Sequence, residues 1–108
     1  MMTKDKTMSI SGSKFLVQFG MAKAILLFDS DVSLTFTITE KNGEPQETTE
    51  TVAIKMTELR PQLFLITWQE ASRTTVTQVH DCENKAIYSN WTSADGEFTN
   101  LKGTLTPI

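Results

Sequence analysis

The stretch "FLITWQEASRTTVTQVHD", residues 64–81, is typical of two β-strands joined by a short polar turn. A strand directs alternate side chains to opposite faces. Phe64, Ile66, Trp68 and Glu70 therefore share one face of the first strand. Because the bulkiest apolar side chains lie on the same face as a carboxyl group, Glu70 is the residue whose position needs a reason.

The rest of the chain repeats this strand-and-turn pattern. Threonine supplies 17 of the 108 residues, which favours β-structure. No apolar period of 3.6 residues persists for three turns, so no long helix is predicted. Turn-forming Gly, Pro, Asn and Asp residues separate eight predicted strands. These cover approximately residues 14–19, 23–28, 32–40, 49–56, 63–70, 74–81, 85–91 and 97–106.

The third predicted strand has the clearest alternation. Apolar residues at positions 32, 34, 36 and 38 are separated by serine or threonine, which predicts one buried and one solvated face. We expect Leu34, Phe36 and Ile38 to be buried with Val52 and Ile54. Thr35 and Thr37 should face solvent.

Eight consecutive strands with short connections predict an all-β fold, an eight-stranded antiparallel up-and-down barrel. Closing the sheet removes its exposed edges, and an eight-stranded interior holds side chains or one small ligand. A sandwich of the same strands is the alternative. Residues 1–12 are predicted to form a loose N-terminal segment and residues 13–108 a single barrel domain.

Composition and charge exclude several classes of partner. Ten basic and 13 acidic residues give a net charge of −3, and the basic residues are scattered, which disfavours nucleic acid. No apolar run approaches the ~18–20 residues of a membrane span. The single cysteine, Cys82, excludes an internal disulfide and indicates a reducing compartment, so we expect a cytoplasmic protein.

The pairing of the strands predicts a polar group at one end of the barrel. If a hairpin loop of residues 71–74 is closed by Glu70 and Thr75, Trp68 lies opposite Thr77. A turn at residues 83–84 then places Thr77 opposite Asn90. A polar mouth above apolar side chains is typical of a small-molecule site, although a slip of one residue would exchange the two faces. The predicted ligand-binding residues are Trp68, Glu70, Thr75, Thr77, Tyr88 and Asn90.

Other chemistry is disfavoured by the sequence. His80 and Asp81 are consecutive strand residues and point to opposite faces, so they cannot converge on one atom. One histidine and one cysteine are too few for a zinc site. We therefore predict a surface His80, an unreactive Cys82, no metal and no cofactor.

Residues 63–90, "LFLITWQEASRTTVTQVHDCENKAIYSN", resemble the central hairpin of the MoaF-related calycin proteins. In that family an Arg-Pro pair, an apolar strand, Trp-x-Glu, a short turn, a threonine-rich strand and an Asp follow in this order. Arg60-Pro61, Trp68-Gln69-Glu70, residues 74–77 and His80-Asp81 match it. The resemblance implies a small lipocalin-like barrel from a family whose biochemical role is poorly defined.

The same hairpin is similar to that of the phenolic acid decarboxylases, which are also calycin-like barrels. Their Trp-x-Glu carboxylate points into the cavity and takes part in catalysis, and its position maps to Glu70. Those enzymes also use two tyrosines near the N-terminus and an arginine on the preceding strand. This chain has one tyrosine, Tyr88, and no arginine on that strand. The decarboxylase set is incomplete.

The sequence therefore predicts a protein that binds a small, partly apolar molecule, with Trp68 as packing surface and Glu70 as polar anchor. We expect a binding protein rather than an enzyme. The alternatives are a lyase acting on an aromatic acid, with Glu70 as its catalytic residue, and a filled barrel that serves as a protein-interaction module. A homodimer is left open.

Overall fold

A computed structural model describes residues 10–108 as one antiparallel β-sheet of nine strands. No helix within these residues is long and apolar enough to cross a membrane. The strands are β1 (Lys14–Gln18), β2 (Ala22–Ser30), β3 (Ser33–Lys41), β4 (Glu44–Ala53), β5 (Lys55–Arg60), β6 (Leu63–Gln69), β7 (Thr75–Asp81), β8 (Ala86–Thr92) and β9 (Phe98–Pro107).

The order of the strands shows how the sheet curls. Neighbours in the sheet run β4-β3-β2-β1-β9-β8-β7-β6-β5, so the two end strands are consecutive in the chain. Only Ile54 separates them. The sheet curls into a half-barrel, which confirms the all-β antiparallel fold. The predicted number of eight strands is wrong.

The ninth strand arises because the predicted fourth strand, residues 49–56, is interrupted. β4 pairs with β3, whereas β5 pairs with β6. At the break the Ile54 N–H donates to the Val32 carbonyl oxygen at 3.0 Å, outside either ladder. β4 also begins earlier than predicted, at Glu44, because Asn42 (φ 54°) and Gly43 (φ 81°) form the two-residue turn that suits a hairpin.

The interior is filled by the apolar face of each strand. Leu34, Phe36, Val52 and Ile54 are all buried, as predicted, while Ile38 is only partly buried. Val32, at the start of the alternating stretch, is 66% exposed because it lies in the turn before β3. The alternation therefore holds within the strand and fails outside it.

The outer face of β3 and β4 carries a ladder of threonines. Thr35 pairs with Thr51 through hydroxyl oxygens 2.7 Å apart, and Thr37 pairs with Thr49 at 3.0 Å. These cross-strand contacts leave Thr35 and Thr37 half-buried rather than fully solvated. The outward direction predicted for both residues is correct.

The predicted loose segment, residues 1–12, lies largely outside the described residues. Within its last part, Ile10 is buried against the core. The Gly12 N–H donates to the Phe28 carbonyl oxygen at 2.7 Å. Gly12 is therefore attached to the strand β2, and Ile10 is part of the core.

Phe36 provides a direct test of the packing. Its ring stacks on the Trp68 indole, with centroids 6.1 Å apart and planes inclined by 27°. Phe36→Ala should lower the free energy of unfolding by roughly 3–5 kcal/mol, because it removes a buried aromatic ring and leaves a cavity. Urea denaturation of the two proteins measures this change. A loss below about 1 kcal/mol would contradict the packing of β3 against β6.

Candidate functional site

The hairpin between β6 and β7 decides which side chains face the interior. The Glu70 N–H donates to the Thr74 carbonyl oxygen at 2.8 Å, and the Arg73 N–H donates to the Glu70 carbonyl oxygen at 2.8 Å. Arg73 has φ 76°. The loop thus contains three residues, 71–73, with the last in the left-handed conformation, a common hairpin form. Trp68 consequently lies opposite Val76 and not opposite the predicted Thr77.

This register reverses the predicted faces of β7 and β8. Thr75, Thr77, Tyr88 and Asn90 lie on the outer face and are exposed, so their predicted place at the barrel mouth is wrong. The predicted pairing of Thr77 with Asn90 is nevertheless correct. The error comes from one residue in the first hairpin, which exchanges every side chain of the following strands between inside and outside.

Tyr88 and Asn90 contact other residues of the outer face. The Lys102 ammonium lies 5.6 Å from the centroid of the Tyr88 ring. The Asn100 side-chain amide donates to the Asn90 side-chain oxygen. These residues therefore belong to the outer surface of β8 and β9.

Trp68 and Glu70 form a hydrogen-bonded pair on the inner face of the β6 end. Trp68 is buried, and its Nε1–H donates to Glu70 Oε2 at 3.2 Å. Phe36 stacks on the indole ring of Trp68, and this contact holds the indole in one orientation. The indole in turn fixes the direction of the half-buried Glu70 carboxyl group.

The environment of Glu70 disfavours its charged form. Burial raises the pKa of the Glu70 carboxyl group above its ordinary value, and the nearby charge of Glu50 adds to the rise. The hydrogen bond from Trp68 and the positive charge of Lys41 lower the pKa and oppose this effect. Burial is the largest of these influences, so the ionised form of Glu70 is destabilised. A further hydrogen-bond donor would stabilise it.

A cavity of about 180 Å³ lies beside this carboxyl group. Its surface is mostly apolar, and Phe19 and Trp91 meet edge to face with ring centroids 6.0 Å apart. The Glu70 carboxyl group is the acidic group of the lining. The lining residues are Phe19, Ala22, Lys23, Ala24, Ile38, Lys41, Glu70, Thr74 and Trp91.

Charged side chains lie in the lining of the cavity or next to it, and together they form what we call its entrance. Lys23, Lys41 and Glu70 belong to the lining, Glu40 pairs with Lys23, and Glu50 is near Glu70. Glu50 Oε2 accepts a hydrogen bond from the Ala71 N–H at 2.7 Å, which joins β4 to the loop after β6. Lys23 Nζ lies 3.4 Å from Glu40 Oε1 and forms an ion pair on the neighbouring strands. Within residues 10–108 no ion pair joins Lys41 to Glu70.

A second polar group is buried in the interior. His80 is fully buried, so its predicted position at the surface is wrong. Its Nε2 lies 2.7 Å from Gln78 Oε1, and Gln78 Nε2 donates to Ser89 Oγ at 3.1 Å. A carbonyl oxygen only accepts, so His80 Nε2 carries the proton. Nδ1 is buried without a hydrogen-bond partner.

The sequence does not predict this buried hydrogen-bonded series of His80, Gln78 and Ser89, although the pattern of β8 indicates which face is buried. Ile87, Ser89 and Trp91 share one face of β8, and Tyr88 and Asn90 share the other. The first set is the more apolar and is the inner one. β7 carries no such contrast, because glutamine and histidine alternate there with threonine, valine and aspartate.

His80 makes the stability of the fold sensitive to acid. Complete burial lowers the pKa of His80 from its ordinary value of 6.5 to about 3. Below about pH 6.5 the unfolded chain takes up a proton that the folded chain does not, so stability falls as the pH falls toward 3. The contribution of this one group is roughly 3–5 kcal/mol over the whole window.

The single histidine of the chain allows a direct measurement. Its imidazole proton resonances in NMR spectra should not titrate between pH 8 and pH 5. The free energy of unfolding of the His80→Phe variant should fall less between pH 6.5 and pH 3 than that of the unmodified protein, because the variant has no imidazole to protonate. A titration midpoint near 6.5 in the folded protein would contradict the buried position.

Within residues 10–108, no three His, Cys, Asp or Glu side chains come together in a way that could hold a metal ion. The polar groups of the cavity are thus one carboxyl group, two ammonium groups and a threonine hydroxyl. Such a set can bind and orient a small molecule by hydrogen bonds and charge.

Comparison with known protein families identifies the chain. The model of the MoaF-like family matches residues 11–106. The chain belongs to the MoaF-like family. The predicted resemblance is therefore confirmed over nearly the whole sequence. The comparison with curated proteins gave no match.

A solved structure has a fold similar to that of this MoaF-like chain. It is described as "Crystal Structure of a putative beta-lactamase from Burkholderia vietnamiensis". It shares 25% sequence identity with this MoaF-like chain, and its TM-score is 0.84. The similarity covers 92% of this chain and 95% of that chain, so it extends over most of the curled sheet.

Proposed function

We propose that the protein binds a small, partly apolar molecule in the cavity beside Glu70. The observation that carries this proposal is an apolar cavity of about 180 Å³ with one half-buried carboxyl group in its wall. An apolar cavity with a few placed polar groups is the usual form of a small-molecule site. A sheet packed solid at this point would have favoured an interaction module instead.

The size of the cavity limits the ligand. An engineered apolar cavity of about 150 Å³ in another protein holds benzene. A cavity of about 180 Å³ thus accepts a molecule with one ring or a short branched chain. Phe19 and Trp91 supply the packing surface in this proposal, and Glu70 supplies the polar anchor. Trp68 holds that anchor in place from behind the cavity wall.

Catalysis is the weaker candidate. The description of the related structure suggests hydrolysis of a β-lactam as a candidate activity. This reaction uses an activated nucleophile or a metal-bound water. The described lining contains no serine, cysteine or histidine. The lyase alternative rests on Glu70 alone, because Tyr88 lies on the outer face. Turnover of hydroxycinnamic acids, followed by ultraviolet absorbance, would favour the lyase alternative.

We also propose the cytoplasm as the place of action, with neither nucleic acid nor a membrane as partner. The net charge of −3 and the single Cys82 support these statements.

Native mass spectrometry of the protein purified from its own host tests the proposed binding of a small molecule. We expect an adduct with the mass of a one-ring compound or a similarly small molecule.

Filling the cavity tests whether it is the binding site. Ala24 lies in the lining, so Ala24→Leu places a larger side chain in the cavity. Binding of a one-ring probe such as benzyl alcohol should fall at least about tenfold, since the space for the ring is lost. Isothermal titration calorimetry measures the affinity, and thermal melting checks that the variant is folded.

Ala53→Leu is the matched control, because Ala53 is exposed on β4 and does not line the cavity. It should bind benzyl alcohol as the unmodified protein does. Equal binding by the folded Ala24→Leu variant would contradict the proposed site.

A further inference from the structure

We propose that the ligand is an organic cation, an amine whose ammonium group meets Glu70 while a single ring or short apolar chain fills the cavity. This inference rests on the proposed function and adds the charge of the ligand. It is carried by the charges at the cavity entrance, the free hydrogen-bonding capacity of Glu70 and the aromatic walls.

The charges at the cavity entrance favour a cationic ligand. Lys23 is neutralised by Glu40, at 3.4 Å between Nζ and Oε1. Lys41 is then opposed by two carboxyl groups, Glu70 in the lining and Glu50 beside it. With both carboxyl groups ionised, the entrance carries a net charge of −1. A cation is attracted to such an entrance, and an anion is repelled.

Glu70 has hydrogen-bond acceptor positions that a ligand can use. Its side chain accepts one hydrogen bond at Oε2, from Trp68. A carboxylate has about four acceptor positions and no donor, so a ligand that meets it must donate. Bringing a cation to a partly desolvated carboxylate also restores the interactions that burial removed, and charge-assisted hydrogen bonds are the stronger kind.

The aromatic wall of the cavity suits a ring or apolar chain that carries a cation. Phe19 and Trp91 line it and hold each other edge to face. Aromatic rings offer an apolar surface to a ring or chain and attract a cation through their faces. Of the two lysines in the lining, Lys23 is paired with Glu40, and Lys41 is exposed. An amine is thus the ligand class that suits all three features.

Three probes of nearly equal size separate charge from shape. Benzylamine is a cation, benzyl alcohol is neutral and benzoate is an anion at pH 7. Isothermal titration calorimetry should give the tightest binding for benzylamine, at least about tenfold tighter than benzyl alcohol, with benzoate the weakest. Benzyl alcohol bound as tightly as benzylamine, or benzoate bound most tightly, would overturn the cation assignment and leave the proposed cavity site in place. No binding of any probe would overturn both.

The variant Glu70→Gln tests the assigned contact. It should lower the affinity for benzylamine about ten- to a hundredfold, to that of benzyl alcohol, and leave benzyl alcohol within about threefold. Glu47→Gln is the matched control, since Glu47 is an exposed carboxyl group of β4 outside the lining. It should leave both affinities unchanged. Unchanged benzylamine binding in Glu70→Gln would overturn the inference.

A second variant keeps the test independent of how well Glu70→Gln folds. Lys41→Gln removes the opposing positive charge at an exposed position. Benzylamine should then bind more tightly relative to benzyl alcohol, because the charge that repels a cation is gone. Weaker benzylamine binding in this variant would contradict the charge balance described for the entrance.

Discussion

The register between β6 and β7 is the constraint on which the interior depends. Since side chains alternate along a strand, one residue of loop decides which half of β7 faces inward. The hydrogen bond from Glu70 N–H to the Thr74 carbonyl oxygen closes a three-residue loop and sets that choice. It brings Val76, Gln78 and His80 into the core, and through the next hairpin it brings Ile87, Ser89 and Trp91 inside as well.

The same hairpin end also holds the candidate site. Glu70 closes the loop with its backbone and presents its carboxyl group to the cavity. A half-buried carboxyl group costs free energy unless it is hydrogen-bonded, and the Trp68 indole supplies one such bond. The stack of Phe36 on Trp68 ties this arrangement to β3 on the other side of the interior. Packing, loop closure and the polar anchor are therefore one connected set of contacts.

Much of the fold can be predicted from the sequence. The strict alternation in β3 predicts the burial of Leu34 and Phe36, because one face of an antiparallel sheet is solvated. Asn42-Gly43 marks its turn directly. The division of the fourth predicted strand is harder to foresee, since Ile54 is apolar and in phase with its neighbours. Only the different partners of β4 and β5 reveal it.

The site is only partly predictable, for a reason of turn chemistry. The left-handed position of the β6–β7 loop is usually glycine or asparagine, and here it is Arg73. Without that signal a three-residue loop cannot be told from a four-residue one. Glu70 and Trp68 precede the loop, so their face does not depend on it. Thr75, Thr77, Tyr88 and Asn90 follow the loop, so a loop of four residues predicts the wrong face for them. The burial of His80 cannot be predicted for the same reason.

The central claim is that the ligand enters the inner cavity beside Glu70 and not a site on the outer face. An NMR titration with benzylamine, which reads the indole N–H signals of Trp68 and Trp91, tests it most directly. Both tryptophans of the chain adjoin the site, one through its bond to Glu70 and one in the lining. The account predicts saturable shifts of both indole signals and unchanged backbone signals for Thr77 and Asn90. Shifts confined to Thr77, Asn90 and their outer-face neighbours, with both indole signals unmoved, would contradict it.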